Sequence, residues 1–258
     1  MKTVARATAA TGADWKRQPE RSNMFLLRLM TWISLKMGRA PARAVLYAIA
    51  AYFLAFAPAA RRASREYLHR LWKLPTPAHV KWREVFRHIL CFASVIHDRI
   101  YFINDRHELF DVRVHNRELI EQLTTQGRGA FLIGAHLGSF EVLRSVGRDR
   151  AGLDIAMAMY EENARKIAAT LGAINPKARQ GIVALGQVDS MVQVHALLEQ
   201  GTVVGMLADR SLGNDGTRTV EFLGAPAELP VGPFRMAAIM KRPVLFMTGL
   251  YRGGNRYD

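Results

Sequence analysis

Between Gly127 and Leu143 the chain reads Gly-Arg-Gly-Ala-Phe-Leu-Ile-Gly-Ala-His-Leu-Gly-Ser-Phe-Glu-Val-Leu, and few backbone paths accommodate that order. The first half is an unbroken apolar run bounded by glycines, the pattern of a strand buried on both faces; the second half takes up helical spacing from about Ser139. A strand-to-helix turn therefore carries His136. Inside one regular helix His136 and Glu141 would stand roughly 140° apart, on different faces. They approach only if His136 lies in the turn and Glu141 in the first helical turn, with Gly138 giving the backbone its freedom to bend. A helix N-terminus favours a charged glutamate. A carboxylate on one imidazole nitrogen fixes the tautomer and raises the basicity of the other, which suits a general base for a hydroxyl. The competing reading is a structural histidine whose ring is satisfied by its neighbours.

From residue 112 onward the rhythm alternates. Strands are predicted at Val112 to His115, Gly129 to Ala135, Leu153 to Met159, Ile182 to Leu185 and Thr202 to Ala208, with helices at Asn116 to Thr125, Ser139 to Arg148, Glu161 to Leu171 and Asp189 to Gln200. Connections this short suit βαβ units, so the expected fold is α/β, a mostly parallel sheet flanked by helices. A second apolar strand delivers charge at its carboxyl end, where open parallel sheets bind ligands: Val203 to Ala208, then Asp209-Arg210. Asp209 and Arg210 are thus candidates for the same cleft as His136, against the plain alternative of a surface ion pair. After a polar loop at Ser211 to Thr219, Pro230 and Gly232-Pro233 open another helix.

The amino-terminal part is different. Residues 1–23 read as a flexible polar tail, residues 24–75 as a helical membrane-associated segment, and residues 76–258 as the α/β domain. The run Ala44 to Ala60 carries no charge over seventeen residues, at the lower limit for crossing a bilayer, and Pro58 shortens its helical part. Basic residues flank both ends, so charge does not choose an orientation; the expectation is an element embedded in one leaflet, with a true span or a buried soluble helix as alternatives. The formal charge is +14, and fourteen Lys or Arg against three Asp or Glu fall in residues 1–75. Basic residues around the most apolar part of a chain suit an anionic lipid surface. No basic reading helix, zinc finger or aromatic RNA-binding strand is visible, so nucleic acid is not an expected partner. A helix is also predicted from Ala78 to Asn104, with Arg87, His88, His97, Asp98 and Arg99 read chiefly as its solvated face. The single Cys91 permits no intrachain disulfide.

His136-Leu137-Gly138-Ser139-Phe140-Glu141 matches the motif of the lysophospholipid acyltransferase superfamily, a histidine and, after four residues, an acidic residue. Its surroundings resemble the branch that includes the bacterial lipid A late acyltransferases: Phe86-Arg87-His88, Asp98-Arg99, Gly127-Arg128-Gly129, Asp209 ending a strand, and Phe222-Leu223-Gly224-Ala225-Pro226 before the Gly232-Pro233 helix start. The likeness covers about residues 25 to 255. It departs at Arg210, where the lipid A enzymes commonly carry glutamine, and after the strand at Leu153 to Met159, where Tyr160-Glu161-Glu162 replaces an expected arginine. A sibling branch with another lipid-like acceptor therefore stays open.

The resemblance implies acyl transfer from an acyl carrier protein or coenzyme A thioester to a hydroxyl or amine of a lipid or glycolipid, at the cytoplasmic face of a bacterial inner membrane. His136 would take the acceptor's proton and Glu141 would hold the imidazole. Arg210 or a backbone amide near Gly138 would meet the oxyanion, and Arg128 and Arg144 the carrier protein or an acceptor phosphate. No metal or resident cofactor is called for, since His136, Glu141 and Asp209 lack ligand spacing. Ser139 lacks the glycine pattern of a nucleophile elbow and reads as a helix cap. The alternatives are a lipid hydrolase and a non-catalytic lipid-binding membrane protein. Relatives usually continue beyond a segment like Tyr251 to Asp258, read here as a strand leaving the sheet, so a truncated carboxyl terminus is expected.

Overall fold

The computed structural model describes residues 24–125, 127–151, 153–160, 169–175, 181–186, 188–210 and 216–258. Three helices come first, α1 (Met24–Met37), α2 (Arg39–Phe56) and α3 (Pro58–Leu71). Gly38, at a φ of 91°, separates the first pair. Ala57 separates the second because the residue before a proline is pushed out of helical geometry, and α2 and α3 meet at a 95° bend. The carbonyls freed at that bend are not left bare: the Arg61 guanidinium donates to Leu54 O and Ala55 O at 2.5 and 2.6 Å. Among the described residues no single helix is long and apolar enough to cross a membrane, and only the bent pair α2–α3 together reaches that length and apolarity. Ala42, Leu46 and Ala50, spaced four apart, form the buried stripe of α2, which lies along α4 (Trp82–Ile103). Tyr47, Tyr52 and Phe56 are left exposed, Tyr47 with its ring 6.3 Å from that of Phe86 on α4.

The solvated-face expectation for α4 fails at His97 and Asp98. His97 and Asp98 are buried, Asp98 completely. A bare carboxylate in such a place would cost several kcal/mol, and this one is surrounded by donors. Arg39 grips it through Nε (2.9 Å to Oδ1) and Nη2 (3.0 Å to Oδ2), and the Tyr257 hydroxyl donates to Oδ2 at 3.0 Å. Arg43 Nη1 and His97 Nδ1 stand 3.7 and 3.6 Å away. Burial opposes ionisation, yet His97, the hydrogen bonds from Arg39 and the one from Tyr257 together outweigh it and hold the Asp98 carboxyl below the usual aspartate value. Arg39 also donates to Gly254 O, and Arg43 to the Tyr251 hydroxyl at 2.8 Å. One buried carboxylate thus ties the amino-terminal helices, α4 and the end of the chain together.

The remaining elements are β1 (Asp111–Val112), α5 (Arg117–Thr125), β2 (Phe131–Gly134), α6 (Phe140–Ala151), β3 (Ile155–Tyr160), β4 (Ile182–Leu185), α7 (Val188–Glu199), β5 (Val203–Leu207), β6 (Thr217–Phe222), β7 (Ala225–Pro230), α8 (Gly232–Met240), β8 (Val244–Phe246), β9 (Tyr251–Gly253) and β10 (Arg256–Tyr257). Five strands form one parallel sheet in the order β4-β3-β5-β2-β8. Strand period 2 sends Phe131, Ile133, Val204 and Met206 to one face, where Val194 and Leu198 of α7 and Ala237 of α8 close the core. On the other face Met157 meets Ile100 and Ile103 of α4. The expected α/β architecture is therefore present, with helices on both faces.

Three local expectations need correction. The strand predicted from Val112 is two residues long and belongs to a separate three-stranded sheet, β1-β10-β9, pairing parallel with β10. The carboxyl-terminal segment does not leave the sheet as one strand; β9 and β10 fold back on each other and cover Phe102 and Phe110 with Tyr257. The polar loop predicted to Thr219 already pairs from Thr217, as an exposed β6–β7 hairpin. Of the predicted helix from Glu161 to Leu171, residues 161–168 lie outside the described residues, and 169–174 are helical.

Candidate active site

Strands β2 and β5 are hydrogen-bonded neighbours in parallel register, Gly134 opposite Leu207. Two residues past each partner come His136 and Asp209, so the register alone brings them level at the carboxyl edge of the sheet. Asp209 clasps His136 twice: Oδ2 accepts the backbone N–H at 3.0 Å, and Oδ1 lies 2.9 Å from ring Nδ1. Burial opposes ionisation of Asp209, but the hydrogen bonds from the ring and the backbone of His136 prevail and keep its carboxyl below the usual aspartate value. With that carboxylate ionised, Nδ1 carries the proton and Nε2 presents its lone pair. Among the described residues Nε2 has no protein partner, and the His136 side chain is 45% exposed. The arrangement is an oriented imidazole open to a ligand.

The turn that holds His136 is braced from behind. Gly138, at a φ of 80°, bridges Gly249, and the Ser139 N–H donates to Gly249 O at 2.8 Å. A Cβ on Gly138 would lie 2.0 Å from Gly249 O, and one on Gly249 would lie 2.4 Å from Ser139 O. Both φ and space thus demand glycine at 138. Phe140, the first residue of α6, lays its ring over Gly205 in β5, where a Cβ would meet Phe140 Cζ at 2.5 Å. Gly138→Ala is expected to cost about 2 kcal/mol or more, from left-handed backbone strain plus the clash. It should lower the melting temperature and the activity together, whereas an activity change at wild-type stability would contradict this packing.

Glu141 is placed differently from expectation. It does lie in the first turn of α6, but the carboxylate that meets the imidazole is Asp209. Glu141 Oε1 lies 2.8 Å from Arg99 Nε on α4, and Oε2 accepts the Ser139 hydroxyl at 3.4 Å. The reason is geometric: the β2–β5 register sets Asp209 beside His136, whereas α6 packs against α4 and carries Glu141 to Arg99. The structure brings Asp209 to His136 and leaves Arg210 exposed at the same edge. Gly138 forms the turn, and half-buried Arg144 follows Glu141 on α6. Arg128 falls away from the site: it precedes β2, at the opposite edge of the sheet from His136. Ser139 is buried, and among the described residues no serine hydroxyl bonds to His136. An apolar cavity between α6 and the sheet is lined by Leu132, Leu143, Gly147, Ile155, Val203 and Met247, and neither His136 nor Asp209 borders it.

Sequence reasoning missed Arg99 and Gly249. The signal for Arg99 was its place in the Asp98-Arg99 pair of the family resemblance, which names no partner for it.

Comparison with individually curated proteins gives no match. The family model of the bacterial lipid A biosynthesis acyltransferases matches residues 12–258, a span that takes in the amino-terminal helices, the parallel sheet and both turns of the rim. With His136 and Asp209 joined at that rim and the match running nearly end to end, the chain belongs to the bacterial lipid A biosynthesis acyltransferase family.

Proposed function

We propose that this acyltransferase moves a fatty acyl chain from an acyl carrier protein or coenzyme A thioester to a hydroxyl or amine of a membrane lipid or glycolipid, with His136 as general base. The observation that carries the reading is the double clasp of Asp209 on His136, which leaves Nε2 as the free basic nitrogen. The acceptor hydroxyl gives its proton to Nε2 while its oxygen attacks the thioester carbonyl. The tetrahedral intermediate then collapses, the C–S bond breaks, and the imidazolium returns the proton to the departing thiolate. No covalent acyl-enzyme is needed, because a thioester is already activated. Arg210, at the same edge, faces the developing oxyanion. Glu141 accepts a hydrogen bond from the acceptor and holds it beside His136, a role in place of the imidazole-orienting one expected from the motif.

Membrane attachment is part of the proposal. Phe25, Trp32, Tyr47, Tyr52, Phe56 and Trp72 are exposed on the amino-terminal helices, and the basic excess of the chain surrounds them. Aromatic side chains with a basic fringe suit insertion into one leaflet at the cytoplasmic face. The acceptor then reaches His136 from the bilayer.

The test presents the protein with a labelled acyl thioester of the carrier protein or of coenzyme A, and a lipid A precursor in detergent micelles. Acylated lipid and free thiol are expected in equal amounts. Release of free fatty acid without an acylated lipid would favour a hydrolase instead. Asp209→Asn should lower transfer about 100-fold, because the ring loses its fixed tautomer while the fold is kept. A wild-type rate in that variant would remove Asp209 from the mechanism.

A further inference from the structure

Glu141 is largely buried at 12% side-chain exposure, and its ion-pairing partner among the described residues is Arg99, itself 27% exposed. A carboxylate so withdrawn from water is costly unless a cation faces it. Arg99 Nε lies 2.8 Å from Oε1, yet its N–H does not point at the oxygen, so the contact is one of charge more than of hydrogen-bond alignment. What places Arg99 is the residue before it. Asp98 is locked by Arg39 and Tyr257 on one side of α4, which fixes the rotation of that helix about its axis. The next residue, about 100° further round, is thereby turned to α6, which packs against α4.

We infer that Arg99 is a positioning residue: it holds the Glu141 carboxylate where the acceptor's hydroxyl or amine docks, and the Asp98 knot sets Arg99 itself. This rests on the acyl-transfer reading above. Arg99 touches neither His136 nor the reacting atoms, so its loss acts on acceptor capture through Glu141. The base and its Asp209 partner are untouched.

The experiment compares wild type, Arg99→Gln, Arg99→Lys, Glu141→Gln and the Arg99→Gln/Glu141→Gln double variant, using the carrier-protein thioester and lipid A precursor micelles, with His136→Ala in parallel. Arg99→Gln should raise the KM for the lipid about tenfold, the scale of one lost charge-assisted contact, with kcat changed less than about threefold. Arg99→Lys should recover most of that loss, since charge is what the contact supplies. The double variant should be no worse than Glu141→Gln alone. Melting temperatures measured on the same samples separate this split from a folding defect. Wild-type kinetics in Arg99→Gln, or an equal effect of that change with Glu141 already removed, would overturn the assignment. Full transfer by His136→Ala would instead overturn the reading on which it rests.

Discussion

His136→Ala should lower lipid acylation about 1,000-fold, within the range that a positioned general base contributes. Donor thioester consumption and acylated lipid should fall together. The side chain is 45% exposed and its hydrogen bonds run to one residue, so the melting temperature should move by no more than about 2 °C. This separation matters, because the same substitution at a structural histidine would lower stability and leave whatever activity remains in proportion to folded protein. A variant that loses its fold, or one that still acylates lipid at the wild-type rate, would place the chemistry elsewhere.

The largest effect on stability is expected at Asp98. Asp98→Ala strands two arginines and a tyrosine hydroxyl that now converge on one carboxylate, and removing one partner of a buried pair costs about 3 kcal/mol. For a chain of this size that is a fall of about 6–12 °C in melting temperature. Its pH dependence has a definite sign. The folded carboxyl titrates below the ordinary value of 3.8, so its contribution is complete above that value and is withdrawn as pH falls through it toward the folded pKa. The stability gap between wild type and Asp98→Ala should therefore be constant from about pH 7 to 5 and narrow below pH 4. A gap that stays constant into acid would mean that the charge of Asp98 does not stabilise the fold.

Much of the sheet was legible in the sequence because its strands are buried on both faces, and continuous apolar runs such as Phe131 to Ile133 and Val203 to Leu207 have few other uses. The sequence also brought Asp209 to the edge that carries His136, through the rule that parallel strands present ligands at their carboxyl ends. It did not yield the pairing itself. Local spacing compares residues along one stretch and so favoured Glu141, five positions away; the actual partner of the ring comes from a strand 73 residues on, next to β2 only through sheet order. The same blindness to long-range contact made Asp98 look solvated. Its partners Arg39 and Tyr257 lie 59 and 159 residues away, and neither helical period nor charge pattern records them. Strand β8 was missed because three residues after Pro243 carry too little pattern to be distinguished from a loop.

A double-mutant cycle of lipid acylation rates for wild type, His136→Ala, Asp209→Asn and the double variant determines whether His136 and Asp209 act as one unit. A unit predicts that Asp209→Asn costs about 100-fold in the wild-type background and nothing further once His136 is gone. The opposite result, in which Asp209→Asn lowers the residual rate of His136→Ala by the same factor as it lowers the wild-type rate, would show that the two residues act independently and that Asp209 does not work through the imidazole.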